Sequence, residues 1–153
     1  MIKLINLLEA KQVGIIYHFT SMNSLFRILS TNKMKSNLGH ISFTRNYRLG
    51  YDNAEVRIVF DGNKMSNKFK FQPYMHGNPF YDDDPVQLRK MYGDEWEETI
   101  MKSSISGVLK YVKKIDILDE IQDYKSDIEK LNYFKKKAPS SIKFNFVKSW
   151  NKK

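Results

Sequence analysis

Ile15–Asn37 constrains the fold more than any other stretch. A short apolar run, Ile15-Ile16-Tyr17, follows Gly14 and predicts a buried strand. It ends in a polar step, His18-Phe19-Thr20, and a helix follows at once. Met22, Leu25, Phe26, Ile28 and Leu29 recur at spacings of 3 and 4, so they share one helical face. Ser21 or Thr20 is placed to cap that helix by accepting its first backbone N–H groups. His18 and Thr20 therefore stand where a core strand meets a helix N-terminus. The free donors and positive dipole end there suit an anionic or carboxamide ligand.

The remaining pattern alternates short strands with small helices. Residues 3–11 predict a short helix with Leu4, Leu7 and Leu8 on one side. His40–Arg45 alternates, with Ile41 and Phe43 on a buried face and Ser42 and Thr44 on a polar one. Asn46–Asn53 reads as a loop. Ala54–Asp61 is the strongest strand, followed by a turn at Asp61-Gly62-Asn63, and Lys68–Gln72 is another strand stopped by Pro73. Tyr74–Met91 is irregular and long enough for a lid or an ordinary surface loop. Glu95–Met101 fits strand or helix equally. Ser104–Lys113 predicts a short helix, Lys114–Leu118 a strand, and Asp119–Lys137 one amphipathic helix broken by Pro139. Ile142, Phe144 and Phe146 close with a strand. With 153 residues, no internal repeat and no linker, this describes one α+β domain, residues 1–153, with helices packed on a mostly antiparallel sheet.

Composition narrows the chemistry. Without cysteine there is no disulfide, thiol nucleophile or thiolate metal site. The three histidines, at 18, 40 and 76, lack the spacing of a helical zinc site, so no metal is expected. No apolar run approaches the roughly 20 residues of a membrane span, and Glu9 and Lys11 interrupt any leader-like region, so a cytoplasmic protein is expected. The net charge is +9, and Lys135–Lys153 carries seven lysines and no acid, which favours polyanions such as DNA or RNA. A solvated lysine tail is the commoner meaning. The abundance of Asn and Lys is associated with AT-rich genomes, such as a phage's, in which case the host cytoplasm is the setting.

Three groups could carry chemistry. His18 and Thr20 point to the same side of a continuing strand and could share one planar polar ligand. Alone, a strand-end histidine is usually structural. Ser42 and Thr44, with Arg45 at the strand's exit, could hold phosphate or carboxylate, and Tyr47 and Tyr51 could stack on a ring. Hydroxyls on a solvated face and rings at a core edge are the plainer meanings. Glu95, Glu97 and Glu98 offer carboxylates for general-base work or for stabilising an oxocarbenium-like centre. They would serve equally as the acidic first turn of a helix.

Tyr17-His18-Phe19-Thr20-Ser21-Met22-Asn23-Ser24-Leu25, continuing into Phe26-Arg27-Ile28-Leu29 and a second strand, resembles the opening of ADP-ribosyltransferases of the DarT type, which modify DNA bases. The resemblance covers residues 15–118 in order of elements and is close in letters only over its first block. It implies a split, mostly antiparallel sheet and NAD as co-substrate, held by Tyr17, His18, Phe19 and Thr20, with Asn23 nearby. It further implies a catalytic arginine after the second strand, here Arg45 with Arg48 in reserve. The catalytic glutamate that starts a later strand would be Glu98 first and Glu97 second. The acceptor it implies is macromolecular, with nucleic acid favoured by the basic surface and protein left open. Two alternatives stand beside it: an RNA 2′-phosphotransferase-like enzyme, and a non-catalytic nucleic-acid- or protein-binding phage factor acting on a host target.

Overall fold

The structure, a computed structural model, describes residues 13–48, 53–73 and 97–151. The helix expected over 3–11, the loop expected over 74–91 and Tyr51 lie outside these residues. The described chain runs β1 (Ile15–Thr20), α1 (Met22–Thr31), β2 (Lys33–Lys35), β3 (Ile41–Thr44), β4 (Val56–Asp61), α2 (Gly62–Ser66), β5 (Phe71–Pro73), β6 (Glu97–Ile100), β7 (Ser104–Ser106), β8 (Val112–Leu118), α3 (Lys125–Lys137) and β9 (Lys143–Val147). Among these residues, one sheet holds seven strands in the order β5-β6-β3-β1-β4-β8-β9, and β2 pairs with β7 in a second, two-stranded sheet. Pairing is antiparallel except between β8 and β9.

Register sorts the large sheet into two faces. Ile16, His18 and Thr20 share a face with Phe60, Ile58 and Val56 of β4, and through these with Ile115 and Ile117 of β8. Helices α1 and α3 cover this face, burying Leu25, Phe26 and Leu131 against it. The opposite face carries Tyr17, Phe19 and Val59, closed over by Tyr47 and Trp150. Strand β4 is central and covered on both sides, so Val56 through Phe60 are all buried, Arg57 included. Pro73, with no N–H for a ladder, sits on the edge strand β5.

Several local expectations are corrected. The turn at Asp61-Gly62-Asn63 is the start of α2, because the Asp61 carboxylate accepts from Lys64 N at 3.0 Å and caps a short helix. The strand expected over 68–72 begins at Phe71. Ser104–Lys113 is not a helix: Ile105 pairs with Met34, Gly107 takes φ +70°, and a 3-10 turn at Leu109–Tyr111 leads into β8. Asn32 arranges this. Its carbonyl accepts from Gly107 N at 2.8 Å and its side-chain oxygen from Leu109 N at 2.8 Å. The long helix over 119–137 is broken at Tyr124, whose extended backbone separates a 3-10 turn (Asp119–Asp123) from α3. The ambiguous segment 95–101 contains strand β6.

The approach of α2 to β1 sets a sharp limit on sequence. Gly62 N donates to the Gly14 carbonyl at 2.8 Å, and a Cβ on Gly62 would stand 2.4 Å from that oxygen and 2.6 Å from Val13 Cγ1. Gly62→Ala is therefore expected to cost about 1–3 kcal/mol in urea unfolding, since neither backbone can retreat without breaking this bond.

Candidate functional site

The junction at the end of β1 is built from the chain's own caps. Ser21 caps α1, its Oγ accepting from Ser24 N at 3.2 Å. The Glu55 carboxylate accepts from Met22 N at 2.8 Å, and the Ser21 carbonyl from Leu25 N at 3.0 Å. The expectation of a helix N-terminus open to a ligand is thus corrected: an internal carboxylate already sits where an anion would. Asn23 is exposed on α1.

His18 faces a cleft of about 370 Å³ between β1, α1 and the β2–β3 segment. Thr20 and Ser24 line it with Arg27, Lys33, Lys35 and His40. Its polar rim is basic, with no carboxylate lining it among the described residues. Nδ1 of His18 lies 2.9 Å from the Ser42 carbonyl. A carbonyl only accepts, so Nδ1 carries the proton and Nε2 of the neutral ring keeps its lone pair. Burial holds the imidazole below its ordinary pKa, opposed by this hydrogen bond, so the ring is neutral at pH 7.

The second half of the site lies along the same face. Tyr17 pairs with Thr44, which sets His18 beside Phe43, and their rings are 5.8 Å apart. Phe43 pairs in turn with Glu98 of β6. His18, Phe43 and Glu98 thus form a row across three strands, and strand spacing puts the two ends about 10 Å apart. Arg45 Nη2 donates to Glu98 Oε1 at 2.7 Å. The arginine side chain is 36% exposed and the glutamate 12%, so the pair opens to solvent at the arginine end. Burial raises the Glu98 pKa above the usual carboxylate value, and Arg45, by its charge and its hydrogen bond, pulls it partly back. A half-buried carboxylate whose pKa is perturbed by desolvation and by a specific charge partner is a common arrangement at reactive centres.

The other candidates fall elsewhere. Tyr17 and Phe19 pack on the opposite face of the sheet from His18. Thr44 is buried, so the supposed solvated face of β3 is partly covered; its Oγ1 accepts from Asn46 N at 3.0 Å. Ser42 borders the cleft and supplies the carbonyl that orients His18. Tyr47 lies 6.3 Å from Tyr17, ring to ring, and accepts from Arg48 Nε at 2.9 Å through its hydroxyl. Glu97 opens β6 opposite Thr44. Sequence reasoning missed the basic lining of the cleft, Arg27, Lys33, Lys35 and His40. The alternation of Lys33 and Lys35 around Met34 was a signal, since it leaves lysines on one side of a strand whose other side is core.

No family model matches this sequence, and neither does any curated protein. Solved structures do, among them those of Thermus sp. 2.9 DarT. The chain has the fold of DarT. For DarT in complex with NAD+, the TM-score is 0.57 at 12% identity, with 91% of this chain and 98% of that chain covered. DarT in complex with carba-NAD+ gives 0.56 at 12%, again over 91% and 98%. DarT in complex with ADP-ribosylated ssDNA gives 0.56 at 12%, over 90% and 95%. The likeness to DarT is one of fold. It spans nearly the whole chain, well past the opening block whose letters resemble that type.

Proposed function

We propose that residues 1–153 form one NAD-dependent ADP-ribosyltransferase domain that transfers ADP-ribose to a macromolecular acceptor, single-stranded DNA first among them. The observation that carries this reading is the row His18–Phe43–Glu98 with Arg45, two reactive ends on one face beside a basic cleft. The residues fit NAD. Nε2 of neutral His18 would accept from the nicotinamide carboxamide N–H₂, and the Thr20 hydroxyl would donate to its carbonyl. Arg27, Lys33 and Lys35 would hold the phosphates.

At the other end, Glu98 would face the positive charge that develops at ribose C1′ as the C1′–N bond breaks and its electron pair leaves with neutral nicotinamide. Glu98 would then take the acceptor's proton as the new bond to C1′ forms, with Glu97 as the second carboxylate. Arg45 orients Glu98 and lends its charge to the acceptor or the pyrophosphate. Tyr17, Phe19, Thr44 and Tyr47 support the sheet from behind in this reading. The DarT structures carrying NAD+ and ADP-ribosylated ssDNA support it. A phosphotransferase needs several arginines around a phosphate; of the five in this chain, Arg57 is fixed on the opposite face.

The test is NAD binding by calorimetry and nicotinamide release with single-stranded DNA present. Binding should weaken as pH falls through the His18 titration, because a second proton converts its acceptor Nε2 into a donor. A His18→Phe variant should bind poorly at every pH. Absence of NAD binding and of nicotinamide release with any acceptor would reject the reading.

A further inference from the structure

Basic charge is concentrated where the site does not use it. Residues 130–153 contain eight lysines and no acid. On α3, Lys130, Tyr133 and Lys137 fall at spacings of 3 and 4 and so form one ridge. Tyr133 is 53% exposed, and the Lys137 ammonium lies 4.2 Å over its ring and donates to its hydroxyl. Glu129, next to the ridge in sequence, pairs with Lys125 at 4.0 Å. The other end of the ridge meets α1: Lys130 Nζ stands 5.9 Å from the Phe26 ring, and Phe26 stacks on Phe134 at 5.6 Å. Phe26 is followed by Arg27, which lines the cleft.

We propose that the ridge Lys130–Tyr133–Lys137 on α3, which packs through Lys130 and Phe134 against Phe26 of α1, is a docking track for single-stranded DNA. The charge complements a polyphosphate backbone. An exposed ring carried on the same ridge as two lysines is what unpaired bases stack on, and a base-paired duplex would keep its ring faces hidden. The track rests on the transferase reading for its purpose, which is to hold the acceptor near the reacting end and raise its local concentration. It makes no demand on base identity, because stacking accepts any base.

Fluorescence anisotropy with labelled oligodeoxythymidine tests it on the full chain. Lys130→Gln/Lys137→Gln should weaken binding about tenfold at physiological salt and flatten the salt slope by about 1.4, two phosphate contacts' worth. Tyr133→Ala should weaken it about fivefold or more. Lys143→Gln/Lys148→Gln removes the same charge from β9 and the residue after it, off the α3 ridge, and should have a distinctly smaller effect. In turnover, the ridge variants should raise KM for the oligonucleotide more than they lower kcat.

Equal losses from the two double variants would overturn the track in favour of diffuse charge. So would no binding of single-stranded DNA, or tighter binding of RNA, duplex DNA or polyglutamate. If ridge variants lose DNA affinity while NAD is neither bound nor cleaved, the track stands and the transferase reading falls. If NAD is cleaved and ridge variants bind DNA like the wild type, the reverse holds.

Discussion

Glu98→Gln is expected to lower nicotinamide release by about a hundredfold or more, the usual size of losing one preorganised electrostatic contact at a transition state. Glutamine keeps the shape and an oxygen for Arg45 but has no charge to set against a cationic C1′ and no site for the acceptor's proton. NAD affinity should change far less, since the loss concerns a charge that develops only in the reaction. Stability separates this from damage to the fold. Burial raises the Glu98 pKa, so the ionised group is less favourable in the folded chain than in the unfolded one. Such a group adds stability as pH falls from its folded pKa towards the ordinary carboxylate value, and its ionisation costs stability above that window. The glutamine variant should therefore unfold at neutral pH no more easily than the wild type. Activity of the wild type should fall as pH drops through the raised pKa, because only the carboxylate form serves. A stable Glu98→Gln variant that releases nicotinamide at the wild-type rate would remove Glu98 from the chemistry.

The reach of the sequence is clearest where one pattern decides an element. The strand–helix unit at Ile15–Thr31 was legible because a short apolar run gives way within a few residues to apolar spacings of 3 and 4, with Ser21 as the cap between them. The alternation in β3 placed Phe43 inward, and from Phe43 the register carries the site to His18 on one side and Glu98 on the other. Pairing itself was not legible, because it depends on which strands meet. Nothing local says that β3 separates β1 from β6. The error at 104–113 has the same origin. Ile105, Val108, Leu109 and Val112 do repeat at helical spacing, but Gly107 in the left-handed region and the two hydrogen bonds from Asn32, 75 and 77 residues away, outweigh that local preference. The helix N-terminus failed as a ligand site for a related reason. Glu55, 33 residues from Met22, takes the donor before any ligand can.

Arg57 shows how far a distant partner can reverse a local reading, and its removal should cost the fold most. Alternation with Val56 and Ile58 marks position 57 as a polar outward face, yet the side chain is wholly buried. Nε and Nη2 donate to Asp116 Oδ2 at 3.0 and 2.7 Å, while Nη1 donates to the carbonyls of Tyr47 at 2.7 Å and Trp150 at 3.1 Å. The guanidinium carbon also lies 5.4 Å from the Trp150 ring centre. This one side chain thus joins the central strand, the segment following Arg45 and the end of the chain. Arg57→Met should cost about 3–5 kcal/mol, mainly because Asp116 is left buried with its charge uncompensated. Lys114 at 3.5 Å and Asn145 at 3.3 Å give Asp116 partial relief, so the lower end of that range is favoured. Arg57→Met/Asp116→Leu, which removes both charges, should recover most of the loss in urea unfolding. If the double variant is instead as unstable as the single one, the carbonyls of Tyr47 and Trp150 are what Arg57 chiefly serves. The ion pair would then be secondary to tying the chain's end onto the back of the sheet.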